Sequence, residues 1–318
     1  MTTQYTNALS INNTQEITQY TYTSINDAVT FWLTYLDVRP KTLETYSRNI
    51  RPFIKYLADN GIERPVRDDV IAFREYIDRD HQPATVQAYL MAVKQFFNFT
   101  EMTGLYPNIA KRISGKKISK DHKKGYLSAE QMRTVLNDID RTTLKGKRDY
   151  AVLSLMVTAG LRTVEVIRAD VKDLENGGAC TVLYLQGKGH DEKDAYIKVT
   201  AQVETAINEY LQARGNIGPD APLFASISNR DAGKRLTTRS VSRIVKSALL
   251  SAGFNSNRLT AHSLRHTTAT LNLLNGATLE ETQMLLRHTN INTTLIYSHA
   301  LTRDNNNSEQ RVTDAIFN

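Results

Sequence analysis

The stretch TAHSLRHTTATLNLLNG, Thr260 to Gly276, reads as one helix and sets the frame for the segments around it. Thr260 suits the N-cap, where a hydroxyl accepts a hydrogen bond from a first-turn amide, and Gly276 stands where a helix stops. Positions three apart share a helix face, so His262 and Arg265 project together. A second helix starts at Thr278, whose side chain can form a reciprocal capping box with Glu281, and it ends near Arg287 and His288. Tyr297 follows nine residues after His288, in a short apolar segment. Each of these residues alone has an ordinary explanation: a helical His or Arg on a surface or in an ion pair, a Tyr in a core. His262 and His266, four apart, also have the spacing of two helical zinc ligands. That reading fails because Ser263 stands where an HExxH motif carries glutamate and no carboxylate lies close in sequence.

Toward the N-terminus, Val241, Ile244, Val245, Ala248 and Leu249 predict a helix closed by Gly253. Along it Arg239, Arg243 and Lys246 form a basic stripe, which suits either a solvated face or contact with DNA phosphates. Val203, Ala206, Ile207, Tyr210 and Leu211 predict another helix, closed by Gly215. TVLYL, Thr181 to Leu185, and AYIKVT, Ala195 to Thr200, predict two strands around the turn-forming Gly187-Lys188-Gly189, a hairpin with a lysine at its tip.

KRISGKKISKDHKK, residues 111–124, holds seven basic residues and one acidic residue with few apolar anchors. It reads as an exposed basic linker at a domain boundary, either a solvated hinge or a DNA contact through Lys116, Lys117, Lys120, Lys123 and Lys124. Four helical patterns precede it. Ser24 is a candidate N-cap with Asp27 three residues later, before Ala28, Phe31, Trp32, Tyr35 and Leu36 at helical spacing. Further helices fit Lys41 to Asp59, bent at Pro52, then Arg67 to Arg79, and Pro83 to Thr103 ended by Gly104. Residues 1–20 are polar and rich in Thr, Asn and Gln, and read as a loose arm. The expected division is therefore an arm (1–20), a helical domain (21–110), a linker (111–124) and a second domain with a C-terminal tail (125–318).

A chain of 318 residues with 41% hydrophobic and 23% charged content can bury two cores. The stretch Met1 to Thr21 lacks the basic and apolar regions of an export signal, and no run is long and apolar enough to span a membrane. A cytoplasmic protein without a membrane partner is expected. The single Cys180 cannot form an internal disulfide, which fits a reducing compartment, and it reads as strand filler. Net charge is +7. Residues 21–124 hold seventeen Lys and Arg against twelve Asp and Glu, a balance of +5, whereas the longer remainder from residue 125 carries +3. The basic balance suits a polyanionic partner and is weak evidence by itself.

Taken in order, AGLRTVEV (159–166), LQGKG (185–189), HSLRHTTAT (262–270), LLRHTNINTT (285–294) and IYSH (296–299) resemble the catalytic boxes of the tyrosine recombinase and phage integrase family, and Xer-like recombinases within it. The likeness is strong from Tyr126 to about Ala300, and looser from Thr23 to Leu105, which resembles the family's helical, SAM-like core-binding domain. It implies a mainly α fold with a small antiparallel β-sheet, an α+β catalytic domain preceded by the core-binding domain. It also implies catalytic roles for Arg162, Lys188, His262, Arg265, His288 and the nucleophile Tyr297. Glu165 matches an acidic position that orients Arg265 or its neighbours. Two departures stand out: Arg287 occupies a position where glycine commonly precedes the second histidine, and His190-Asp191-Glu192 lengthen the hairpin.

The implied chemistry is physically coherent. A phosphodiester gains charge on its nonbridging oxygens as a pentavalent transition state forms, and the guanidinium forks of Arg162 and Arg265 can neutralise it. A tyrosine is protonated at neutral pH, so Tyr297 needs a base, for which His262 is the candidate. Lys188 at the hairpin tip can protonate the departing 5′ oxygen, and His288 can hydrogen-bond a phosphate oxygen. A 3′-phosphotyrosine conserves the energy of the broken bond, so no nucleotide cofactor is expected, and two arginines in place of a Lewis acid imply no metal. The expected partners are double-stranded DNA carrying inverted-repeat core sites and a homotetramer on that DNA, with the C-terminal tail exchanged between protomers. An accessory directionality factor is a further partner that the resemblance allows. Two rival readings share parts of this pattern: type IB topoisomerase-like relaxation, which uses nearly the same chemistry, and a DNA-binding regulator that retains only the scaffold.

Overall fold

A computed structural model describes residues 24–115, 125–178, 180–187, 191–215, 217–297 and 308–317. The chain divides into two units, Met1–Lys120 and Asp121–Asn318.

The first unit is built from four helices, α1 (Ile25–Tyr35), α2 (Pro40–Asp59), α3 (Arg67–Asp78) and α4 (Pro83–Met102). Local chemistry sets their ends: the Ser24 hydroxyl accepts from the Asp27 amide at 3.3 Å, and prolines open α2 and α4, where the missing amide hydrogen costs no helical bond. The helix α2 continues through Pro52 to Asp59. Each helix turns at least one aromatic side chain inward. Trp32 meets Phe96 edge-on, and Phe53 meets Phe73 and Phe97 with ring centroids 5.1 and 5.9 Å apart, all of them fully buried.

The second unit is organised on α6 (Leu144–Ala159), whose residues Ala151, Val152, Leu153, Leu155 and Met156 are all buried. From Ala151 to Val157 this helix is buried on every side, as suits a central element, and α6 packs against α8 (Ala201–Arg214), α9 (Thr238–Ser251) and α10 (Ala261–Leu274). The face of α10 turned inward is rich in hydroxyls rather than leucines. Thr268 Oγ1 donates to the Val157 carbonyl at 2.6 Å, and Thr267 Oγ1 accepts from the Leu127 amide at 2.9 Å, so these buried groups are satisfied. Around this centre lie α5 (Ala129–Asn137) and α7 (Thr163–Arg168), then α11 (Leu279–Leu286) and α12 (Asn292–Leu295), and the chain continues to α13 (Ser308–Phe317), none of whose residues is buried.

A three-stranded antiparallel sheet in the order β1 (Leu174–Asn176), β2 (Thr181–Leu185), β3 (Ala195–Val199) completes the unit. The predicted pair β2 and β3 is in register with Leu183 opposite Ile197 and Tyr184 opposite Tyr196. Leu183, Leu185, Ile197 and Val199 face the core while Tyr184 and Tyr196 face outward, the alternation a half-buried sheet requires. The edge strand β1, LEN, was not anticipated, because three residues without alternation carry no strand signal of their own. Cys180 immediately precedes β2 instead of lying within a strand.

Candidate active site

Arg162 lies at the N-cap of α7, where Glu165 reaches back to it. The Arg162 amide donates to Glu165 Oε2 and its Nη1 donates to Glu165 Oε1, both at 2.8 Å. One carboxylate thereby caps the helix and fixes the guanidinium. Glu165 is almost wholly buried, whereas Arg162 keeps about a third of its side chain exposed. A second guanidinium completes the group: Arg287 Nη2 donates to Glu165 Oε2 at 3.2 Å. Burial alone raises the Glu165 pKa, but the Arg287 charge and the Arg162 amide and guanidinium outweigh it and hold the carboxyl below its usual range.

Arg265, 1% exposed, occupies the α10 position that faces the end of α6. Its Nη1 donates to the Gly160 carbonyl and its Nη2 to the Leu286 carbonyl. The guanidinium thus ties together the carbonyl-bearing ends of α6 and α11, where the helix dipoles favour a cation. Glu165 pairs with Arg162 and Arg287 and not with Arg265. Of the two alternatives the sequence left open, Arg265 or its neighbours, the contacts fall on the neighbours. Burial, and then repulsion from Arg162, pull the Arg265 pKa down to about 10, still far above neutrality, so it stays cationic.

Tyr297 follows α12 and is 4% exposed, with its amide donating to the Thr294 carbonyl at 2.9 Å. Its ring lies nearly parallel to that of His288, 11° apart in plane with centroids 6.3 Å apart, and edge-on to His266 at 4.9 Å. His266 in turn meets His262 edge-on at 4.9 Å. His262 is exposed, His266 buried. Burial raises the Tyr297 pKa, and the charges of Arg265 and Arg162 oppose that rise, so both arginines act electrostatically on the phenol. His288 Nδ1 shares a 2.9 Å hydrogen bond with the Thr294 hydroxyl. Its pKa is depressed to about 4 by burial first, then by Arg265, Arg162 and Arg287, so the imidazole is neutral at physiological pH.

Arg162, Arg265, His288 and Tyr297 are therefore brought together, with His262 at the exposed edge of the group. Lys188 lies outside the described residues, as do Lys116, Lys117, Lys120, Lys123 and Lys124 of the basic linker. The chain leading to Lys188 is anchored, since Arg168 Nη1 donates to the Gly187 carbonyl at 2.8 Å. Of the basic stripe on α9, Arg239 and Arg243 are exposed, whereas Lys246 is half-buried and donates to the Ser256 carbonyl at 2.8 Å. Lys246 thus holds a loop. Among the described residues no group of His, Cys, Asp and Glu is gathered so as to hold a metal ion. Two residues of the cluster were missed by sequence reasoning. His266 was weighed only as a metal ligand, though its spacing from His262 already placed both on one face. Arg287 was noted only as a departure, and its link to Glu165, 122 residues away, leaves no local signal.

Residues 125–303 match the phage integrase family, and residues 29–104 match the phage integrase N-terminal SAM-like domain. The tyrosine recombinase XerC of Escherichia coli O8 (strain IAI1) is 31% identical over 289 residues, covering 87% of this chain and 93% of that protein. The tyrosine recombinase slr0733 of Synechocystis sp. is 28% identical over 296 residues, covering 87% and 90%. In fold, the chain resembles the XerH site-specific recombinase bound to palindromic difH substrate in a post-cleavage complex, with a TM-score of 0.69 and 23% identity over 86% of this chain and 79% of that one. A lambda integrase dimer bound to a COC' core site has a TM-score of 0.67 and 17% identity, over 85% of this chain and 97% of that one. The match to the integrase family over more than half of its length, together with the extent of its likeness to XerC, establishes that this chain belongs to the phage integrase family of tyrosine recombinases.

Proposed function

We propose that this protein is a site-specific DNA recombinase that cleaves and rejoins double-stranded DNA through a 3′-phosphotyrosine on Tyr297. The observation that carries this reading is the setting of the phenol: buried against His288 and His266, with the charges of Arg265 and Arg162 acting on it. Arg162 and Arg265 are already held in fixed orientations by Glu165, Gly160 and Leu286, so little reorganisation is needed when they receive the charge of the transition state. Neutral His288 donates a hydrogen bond to a phosphate oxygen from the ring nitrogen opposite Thr294. His262, exposed where a duplex approaches, takes the Tyr297 proton. Lys188 supplies one to the leaving 5′ oxygen.

Both units contribute to DNA binding, with the 111–124 linker and the Arg239 and Arg243 face of α9 contacting phosphates. Among the fold's neighbours, a lambda integrase is a tetramer bound to a Holliday junction. A homotetramer on two inverted-repeat core sites is the corresponding assembly proposed for this chain, with room for a directionality factor. Relaxation of supercoils and regulation without cleavage are less favoured: the named relatives are tyrosine recombinases, and the polar set is intact. The decisive experiment uses Tyr297→Phe on nicked suicide duplexes that carry the protein's selected site. The expected outcome is unchanged site binding and no covalent adduct, because only the nucleophilic oxygen is lost. An undiminished adduct in this variant would overturn the assignment.

A further inference from the structure

Resting on that reading, we propose that Arg287 is a positioning residue for strand cleavage. It takes up one oxygen of Glu165 and so prevents that carboxylate from neutralising Arg162. The starting point is conformational. Arg287 ends α11 in the left-handed region, at φ 54°, a backbone state that favours glycine and is strained for a long side chain. Strain of this kind persists only where the surroundings hold it. Here the side chain folds inward instead of entering solvent. It is 16% exposed, donates to the Leu285 carbonyl at 2.8 Å and reaches Glu165 Oε2 at 3.2 Å. Its Nε is buried without a hydrogen-bond partner, a further cost borne in this position.

Charge counting shows what the arrangement achieves. Arg162 and Glu165 alone sum to zero, whereas Arg162, Glu165 and Arg287 sum to one net positive charge. The carboxylate and Arg287 are the buried members, and Arg162 is the partly exposed one. The surplus charge therefore sits beneath Arg162, the more exposed of the two guanidiniums that share Glu165. With glycine at position 287 the backbone strain would vanish, but Glu165 would spend its full charge on Arg162.

The test measures single-turnover cleavage of suicide duplexes at saturating protein by Arg287→Gly, Arg287→Gln and Arg287→Lys. Each is assayed on a normal phosphodiester and on a methylphosphonate at the scissile position, with site affinity and thermal midpoint recorded alongside. Arg287→Gly relieves the left-handed backbone, so it keeps the experiment interpretable even if the other two fold poorly. The expectation is a roughly tenfold or greater loss of maximal rate on the phosphodiester for Arg287→Gly and Arg287→Gln, with affinity kept within about twofold. Arg287→Lys should recover most of it. The deficit should shrink to within about twofold on the methylphosphonate, which lacks the charge that Arg162 must meet. Wild-type rates in Arg287→Gly, or equal losses on both substrates, would overturn the proposal and leave Arg287 as a helix-end anchor. No adduct from the unaltered protein would instead overturn the recombinase reading, and this proposal with it.

Discussion

The carbonyl of Gly160 accepts a hydrogen bond from Arg265, 105 residues further along the chain, and the conformation of Gly160 makes that contact available. Gly160 ends α6 with φ at +60°, and a Cβ added there would lie 2.5 Å from Leu286 Cδ2. Leu286 is the residue whose carbonyl accepts the other half of the Arg265 fork. A left-handed glycine, a close approach of two helix ends and a buried guanidinium are thus one unit.

Gly160→Ala should therefore damage catalysis more than DNA affinity. The methyl group both strains the left-handed backbone and collides with Leu286, at a combined cost of roughly 1–3 kcal/mol. Its displacement moves an acceptor of Arg265. Adding Leu286→Ala removes the collision but not the strain, so the double variant should recover part of the cleavage rate. Suicide-substrate kinetics on the two single variants and the double one measure this coupling, and strictly additive losses would count against it.

His288 predicts a pH dependence of stability. Its folded pKa is depressed to about 4, against an ordinary value of 6.5, by burial and by three arginines. The unfolded chain binds the proton more readily, so the stabilisation is complete above pH 6.5 and is lost as pH falls toward 4, by on the order of 2–3 kcal/mol. The sole tryptophan, Trp32, reports on the first unit only. Hydrogen exchange of α10 and α11 amides at several pH values is therefore the suitable measurement. Protection should fall between pH 6.5 and 4, and His288→Gln should flatten that slope. An unchanged slope in the variant would assign the acid sensitivity to other groups.

How much of this was legible in the sequence follows from the range of each interaction. The capping pairs Ser24 with Asp27 and Thr278 with Glu281 span three residues and were read directly. So were β2 and β3, whose alternation records which face is buried. The basic stripe was read too simply, since spacing on α9 could not reveal that Lys246 bonds to the Ser256 carbonyl. The ordered boxes identified Arg162, Arg265, His288 and Tyr297, which the fold gathers into one place. The partners of those residues were not legible. Gly160, Leu286 and Arg287 act through backbone carbonyls or a shared carboxylate, and such contacts leave no periodicity.

Lys188→Ala should cleave an ordinary phosphodiester slowly and recover on DNA whose bridging 5′ oxygen is replaced by sulfur. A thiolate departs without protonation, so a missing general acid no longer limits the step. Recovery toward the unaltered protein's rate on the sulfur substrate is the expected result. A variant equally slow on both substrates would place the acid elsewhere.

Among the described residues of α13 none is buried, and Val312, Ile316 and Phe317 are 58%, 65% and 78% exposed. An apolar edge on a ten-residue helix is not stable on its own in water, because so short a helix barely repays its nucleation cost. It therefore requires a surface to cover it. The resemblance to integrases supplies the candidate: a neighbouring protomer, in a cyclic head-to-tail exchange. The proposed nucleophile, Tyr297, lies just upstream, so such docking would couple its placement to assembly and restrict cleavage to complete complexes. Truncation after Arg303 should then leave binding to a single core site within about threefold, a change of less than 1 kcal/mol, while abolishing the tetramer and strand exchange on two-site DNA. Replacing Ile316 and Phe317 with serine in the full chain should act in the same direction without shortening the protein. Native gels and light scattering on two-site DNA measure both. A truncated protein that still forms tetramers and recombines would show that the tail packs on its own domain or has no part in assembly.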